Sequence, residues 1–541
     1  EEMKKRGGQV VLSLQMGDDL IEGEYYMIKK RTTPTDSTEI KLAVQIIAIK
    51  EVSDRKLEQH RMDATREPPE KRLRFDRELS QDETKSNVSA ASQAESRSES
   101  QPKSIESSKE PSDKSQTPSS DKVHKLYYVH YYGYDRRLDE WIERDRFIER
   151  CADPAIANPF ASKMDKKDGA KTRAQTRIHV EFHHLQVDSH QDATTARLEK
   201  EHEERTKVRN IESVVMNGYE MNTWYFSPYP YKDTEHTALF VCDFCLVYTD
   251  CETEMKLHRS VCQYFEPPGD EIYRDGPNLA MYEVIGKHNK TYCQALCLLS
   301  KLFLDHKTLY FDVDTFIFYI LCEVTSSGAR VMGHFSKEIT SDNNLACIMI
   351  LPPYQRKGYG KLLIQISYEL SRREGWVGTP EKPLSDLGKV SYRSYWWWRI
   401  LEYLDDERVI LEDAPCAALA AVTGIETEDI KHTMLAMNMC TIHRDDLNQG
   451  QECIVRLSRA AIIQCKVMGI AKPPFLMLKK ENLKWMPRNA RGPPLPDPLD
   501  DAPNRVRIAI PPHMKRPNGA AKEGGENEPP PTVKRKRTAE Q

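Results

Sequence analysis

The sequence predicts an α+β multidomain chain: a small β barrel, then a larger domain with a mixed central sheet and an integral Cys3His finger, then a helical lobe of helix-turn-helix character. Three observations carry this. Short β-branched and aromatic segments flank a polar stretch near the N-terminus. Sulfur and imidazole ligands fall at metal-binding spacing in the middle, and an apolar strand after residue 344 runs through a glycine loop into an amphipathic helix.

At 541 residues the chain is long enough for about three to four domains. Charged residues make up 30% and hydrophobic residues 39%, with a net charge of -4, as in a soluble chain with long polar segments. No apolar run approaches a membrane span and no signal-peptide core stands near the start, so a cytosolic or nuclear protein without membrane partners is expected. Its 13 cysteines then read as thiols and metal ligands rather than a disulfide framework. The chain opens on Glu1 rather than Met, which leaves its native start open.

Taken in order, Asp18 to Ile28 and Lys41 to Lys50 have the content of short strands. From about Asp54 to Lys122 the chain becomes Ser, Glu, Lys and Pro with Phe75 as its only aromatic residue, too little apolar area to offset ordering entropy, so disorder is expected. Strand signals resume at Leu126-Tyr-Tyr-Val-His-Tyr-Tyr-Gly-Tyr-Asp-Arg-Arg-Leu-Asp-Glu-Trp-Ile142. One barrel over 15–150, interrupted at about 54–122, accounts for both halves. Tyr128-Val-His-Tyr131 and Arg137-Leu-Asp-Glu-Trp141-Ile142 resemble the chromo barrel domain. By that resemblance Tyr128, Tyr131 and Trp141 are candidates to contact a methylated lysine or nucleic acid. The same rings also suit the core of a small barrel.

Residues 151–205 form a polar linker with a basic run, Lys163 to Arg173. A solvated connector is the default, and phosphate contacts with nucleosomal DNA are the alternative. Next come Cys242, Cys245, His258 and Cys262, spaced Cys-x2-Cys-x12-His-x3-Cys within a finger at about 239–264. Such ligands, a hairpin giving the first pair and a helix the second, suit one structural zinc: four protein ligands leave no open position to activate water. Cys251 is off register.

Leu345 to Leu351 is an apolar run ended by Pro352-Pro353, and Leu362, Leu363, Ile366 and Leu370 recur at helical spacing, so a strand and a helix starting near Gly358 are expected. Between them Gln355 to Gly360 places backbone N–H groups at a helix N-terminus, where an anion is favoured. The third glycine of a dinucleotide fingerprint is missing, and Lys361 is followed by Leu362 rather than Ser or Thr, which weakens both common nucleotide readings. Gln-x-x-Gly-x-Gly after such a strand instead resembles the acetyl-coenzyme A loop of N-acetyltransferases.

The finger, Leu302-Phe-Leu-Asp-His-Lys-Thr-Leu-Tyr310, Gly333-His-Phe-Ser-Lys-Glu338, Leu351-Pro-Pro-Tyr-Gln-Arg-Lys-Gly-Tyr-Gly-Lys361 and Glu381-Lys-Pro-Leu-Ser-Asp-Leu-Gly388 together resemble the MYST family of histone acetyltransferases, over about 206–487. The resemblance implies an acetyltransferase fold, transfer of acetyl from acetyl-CoA to histone-tail lysines, and work within a chromatin acetyltransferase complex on nucleosomes in the nucleus. By motif match Glu381 is the general base and Cys347 an active-site thiol. Ile348, Met349 and Ile350 contact the acetyl and pantetheine part, and Gln355, Arg356, Lys357, Gly358, Tyr359, Gly360 and Lys361 the pyrophosphate. Ser385 and Ser394 are further cofactor contacts, and Lys301 is the site of autoacetylation. The helices after Tyr392 match the C-terminal lobe, and 488–541 reads as a disordered tail. Lys71 to Arg74 and Lys534 to Arg537 are candidate import signals. Thr315 stands where relatives commonly have proline. A non-catalytic chromatin adaptor and a zinc-finger DNA binder are the competing classes; intact Glu381, Cys347 and loop oppose the first, a single finger and negative charge the second.

Overall fold

The computed structural model describes residues 3–6, 9–13, 19–31, 39–65, 123–151, 206–231, 238–305, 311–406, 409–411, 415–437, 439–444, 451–455, 459–467, 472–488, 490–497, 499 and 506–508. The linker after 151, most of the insertion and the basic runs lie outside these residues. Contacts divide the chain into one unit of Glu1–Ser367, Pro380–Tyr395 and Pro473–Trp485, and a second of Tyr368–Thr379, Trp396–Lys472 and Met486–Gln541. Among the described residues no helix is long and apolar enough to cross a membrane.

The first unit begins with β1 (Met3–Arg6), β2 (Gln9–Ser13), β3 (Tyr25–Arg31), β4 (Glu39–Ser53), β5 (Val123–Tyr131), β6 (Glu140–Glu143) and β7 (Phe147–Arg150). They form an antiparallel sheet of order β1-β2-β7-β3-β4-β5-β6. β1 and β2 precede the expected start at 15, so the domain boundary moves toward the N-terminus. Tyr26, Ile28, Val44, Ile46, Val129 and Ile142 share its core, as alternation along the strands requires. The expected disordered stretch opens instead with a helix, α1 (Asp54–Thr65). Leu57 of α1 packs with Val52, Leu126 and Trp141, and Arg61 forks onto Glu143, contacts that a composition average over 54–122 conceals.

The finger module follows: β8 (Ser213–Met216), β9 (Tyr219–Asn222), β10 (Ala238–Val241), β11 (Tyr248–Thr249) and α2 (Glu252–Val261), with β10 parallel to β8. The central sheet comprises β12 (Asp270–Asp275), β13 (Leu279–Ile285), β14 (Phe316–Thr325), β15 (Gly328–Glu338) and β16 (Cys347–Ile350) in that order. Expected to be mixed, it is antiparallel at each of these pairings; parallel pairing enters through the bridge Leu345↔Pro380. Cys347, expected in a central strand, lies on the last strand of the order. α3 (Lys290–Lys301) joins β13 to β14, and α4 (Tyr359–Arg373) and α5 (Asp386–Asp405) follow β16.

In the second unit α6 (Pro415–Thr423) and α7 (Thr427–Ala436) flank Gly424, whose φ of +74° makes the turn, as the sequence predicts. Of the tail expected to be disordered over 488–541, residues 488, 490–497, 499 and 506–508 are described and fall in this unit, and 509–541 lie outside the described residues. Leu495 and Arg372 exchange backbone and side-chain hydrogen bonds, Asp497 is buried against Arg399 at 2.8 Å, and Val506–Ile508 pairs parallel with Val409–Leu411. Proline and charge dominate the composition there, but single buried residues at Leu495 and Asp497 anchor it.

Candidate active site

β16 pairs with β15 through Gly333↔Ile350, His334↔Met349, Phe335↔Ile348 and Ser336↔Cys347. Position 333 has to be glycine: an added Cβ would lie 2.4 Å from the Met349 carbonyl oxygen. The chain then turns through Pro352–Tyr354, passes Arg356 at φ +62° and Gly358 at φ +95°, and enters α4 at Tyr359. Tyr359, Gly360 and Lys361 occupy the first turn, whose N–H groups find no carbonyl within the helix and sit at the positive end of its dipole. An added Cβ at Gly360 would meet nothing nearer than Ile350 Cγ1 at 4.0 Å. This donor set, flanked by Arg356 and Lys357, fits a diphosphate and hence acetyl-CoA.

Four expected cofactor contacts also serve the chain itself. Gln355 Nε2 donates to the Ile350 carbonyl oxygen at 2.8 Å, so its amide braces the strand end. Lys361 Nζ donates to Ser394 Oγ at 2.7 Å, and burial lowers the lysine's pKa. Ser385 Oγ accepts from the Gly388 N–H at 3.1 Å in the first turn of α5. Each serine oxygen acts here as acceptor, which leaves its O–H to donate.

Glu381 comes to β16 through its backbone. Its N–H donates to the Leu345 carbonyl oxygen at 2.8 Å, beside the Leu345↔Pro380 bridge. Cys347, two positions further along, is half-buried and Glu381 is exposed. Glu381, Cys347, the loop, Ser385 and Ser394 all fall within the first unit.

Sequence reasoning missed the segment Pro473–Trp485. Gln365 of α4 donates to the Leu476 carbonyl oxygen at 2.8 Å and accepts from the Leu478 N–H at 3.1 Å, fastening that segment beside the loop. The short apolar run Phe475-Leu-Met-Leu478 is its signal in the sequence.

In the finger the ligand atoms of Cys242, Cys245, His258 and Cys262 lie within 4.8 Å of one another, which fits one tetrahedral zinc. Leu246 at φ +62° closes the knuckle, with the Cys242 N–H donating to the Val247 carbonyl oxygen at 2.8 Å. A hydrogen bond from Cys245 pulls the Cys242 thiol down to about 4, and the same bond pushes Cys245 up. Cys251 precedes α2 and is outside the cluster. Asp243 accepts from the Asn217 N–H and pairs with Arg259 at 2.6 Å, fixing the knuckle to its module.

Lys301 is only 3% exposed. Its Nζ donates to the carbonyl oxygens of Leu304 at 3.1 Å and Asp305 at 2.9 Å, and burial lowers its pKa against the pull of Asp305.

The aromatic trio of the N-terminal domain does not converge into a cage. Tyr128 and Tyr131 lie three positions apart on β5 and so face opposite sides of the sheet. Tyr128 packs on Trp141 at 5.1 Å, while Tyr131 is buried in the core. The chain's own lysines cover two of the rings: Lys50 Nζ sits 4.2 Å above Trp141 and Lys30 Nζ 3.9 Å above Tyr131. Tyr131 lies in the domain core, and Trp141 packs on the cluster of Val52, Leu57 and Leu126.

Comparison with known proteins agrees with this architecture. Residues 266–472 match the MOZ/SAS family, 208–262 the MYST family zinc finger domain, and 95–148 the RNA binding activity-knot of a chromodomain. The histone acetyltransferase MOF of Drosophila melanogaster is 40% identical over 67% of this chain and 49% of its own length. The histone acetyltransferase of the MYST family 1 from Arabidopsis thaliana is 47% identical over 58% of this chain and 68% of its own. The histone acetyltransferase ESA1 of Saccharomyces cerevisiae is 38% identical over 66% of this chain and 88% of its own. The chain therefore spans about half of the fly relative and most of the yeast one.

Proposed function

The chain belongs to the MYST family of histone acetyltransferases, and we propose that it moves acetyl from acetyl-CoA directly to the ε-amine of histone-tail lysines with Glu381 as general base. The amine must first be neutral, against a free pKa of about 10.4, so a positioned carboxylate is needed to take its proton. The amine nitrogen then bonds to the thioester carbonyl carbon, the carbon–sulfur bond breaks, and coenzyme A leaves. The observation that carries this reading is the hydrogen bond from the Glu381 N–H to Leu345, which ties the carboxylate's loop to the strand bearing Cys347. Cys347 lines the same site as a half-buried thiol, and the loop from Arg356 to Lys361 holds the diphosphate.

Acetyl transfer from labelled acetyl-CoA to core histones tests this. Glu381→Gln should lose at least about tenfold at neutral pH and recover as pH rises, as expected for loss of a base, while Cys347→Ala stays active. An inactive Cys347→Ala with a trapped acetyl-enzyme in the unmutated protein would favour a thioester route instead.

We further assign the chain to chromatin regulation and repair in the nucleus, as a subunit of an acetyltransferase complex acting on nucleosomes, with Lys301 as its autoacetylation site. For the N-terminal domain and the basic linker the match to an RNA-binding knot favours nucleic acid over methyl-lysine. Retention of RNA in a gel-shift experiment, lost with 200 mM salt as about tenfold or more weakening for several phosphate contacts, would support it; binding only to methylated peptides would overturn it.

A further inference from the structure

The segment Pro473–Trp485 is fastened on both sides. Gln365 grips it at Leu476 and Leu478 from α4. Lys479 pairs with Asp275 of β12 at 2.6 Å, the Lys484 N–H donates to the Ile272 carbonyl oxygen at 2.8 Å, and Trp485 Nε1 donates to the buried Glu283 of β13 at 2.7 Å. Pro474 is buried and Leu476 half-buried, yet Phe475 between them is 85% exposed. Its backbone is nonetheless at the glycine loop: a Cβ added to Gly358 would lie 3.4 Å from Phe475 Cβ and 3.3 Å from Leu476 Cγ. A pinned backbone thus holds an uncovered aromatic ring beside the diphosphate cradle.

We propose that Phe475 is the stacking surface for the adenine base of acetyl-CoA. The proposal rests on the reading of the Arg356 to Lys361 loop as the diphosphate site. In that reading the acetyl and pantetheine end runs along Ile348 to Ile350, so the adenosine leaves the diphosphate on the other side. Phe475 flanks Gly358 rather than β16, which places it at the adenosine end. A purine offers a flat, polarisable face to such a ring, and aromatic stacking holds a base without hydrogen-bond partners.

The test compares binding of coenzyme A and of 4'-phosphopantetheine, which lacks the adenosine, by calorimetry on the full chain. Phe475→Ala should raise the Kd for coenzyme A about tenfold and leave that for 4'-phosphopantetheine unchanged. Phe475→Trp should keep the coenzyme A affinity, and KM for acetyl-CoA should follow Kd with kcat unaltered. Equal weakening of both ligands, or no change in either, overturns the proposal while the loop reading stands. If Gly358→Ala leaves coenzyme A binding intact, the loop reading falls, and the stacking role falls with it.

Discussion

At the scale of single residues, chemistry here depends on what surrounds a side chain more than on its type. Lys301 is buried, and its Nζ closes two carbonyls after α3, so the position acts as a helix-end clasp. Burial holds its pKa below the usual 10.5. The unfolded chain therefore binds more protons than the folded one between that lowered value and 10.5, and stability rises with pH across this window. Below the window both states are protonated and the penalty is constant. Lys301→Gln, neutral throughout, should flatten the rise in urea unfolding midpoints from neutral pH to pH 10.5. At neutral pH its net effect is the removed penalty set against two lost charged hydrogen bonds, each worth about 1.5–3 kcal/mol. A parallel pair of pH profiles in both proteins would contradict the assignment.

The strand–loop–helix element around Gly358 works because glycine meets two demands at once, φ of +95° and the approach of Leu476. Alanine there should cost about 1–2 kcal/mol and raise KM for acetyl-CoA. An unchanged KM with normal stability would count against the diphosphate reading of the loop. Among the described residues the finger's ligands sit on a small cluster of Val215, Phe240, Cys242 and Met255 with a few half-buried neighbours, a modest core for a folding unit. Zinc binding worth about 10–16 kcal/mol in comparable fingers must hold it. Chelation should release one zinc per chain by elemental analysis and expose β10 and α2 to protease; retained resistance after zinc loss would refute a folding role. Cys245→Ser should reproduce the chelated state.

On the scale of the molecule, chain segments far apart in sequence complete each unit. Asp497 is buried against Arg399 and Tyr403, and Leu495 is 1% exposed, so these two residues belong to the second unit's core. Truncation after 488 should lower Tm, and Asp497→Ala, which removes one of the two carboxylates that Arg399 pairs with, should cost about 1.5–3 kcal/mol in urea unfolding. A truncated chain that melts with the full one would restore the tail reading. The sequence by itself determined the finger, the strand–loop–helix element around Gly358, the helix pair about Gly424 and the family, because ligand spacing, glycine positions and helical periodicity are local and survive in one dimension. Only tertiary structure decided that Tyr131 is core, that Gln355 braces its own strand, that α1 is a helix, that Leu495 and Asp497 are buried, and that Phe475 stands open beside Gly358. Those facts depend on which distant segment covers which side chain, and burial against a remote partner leaves no periodic trace in the sequence.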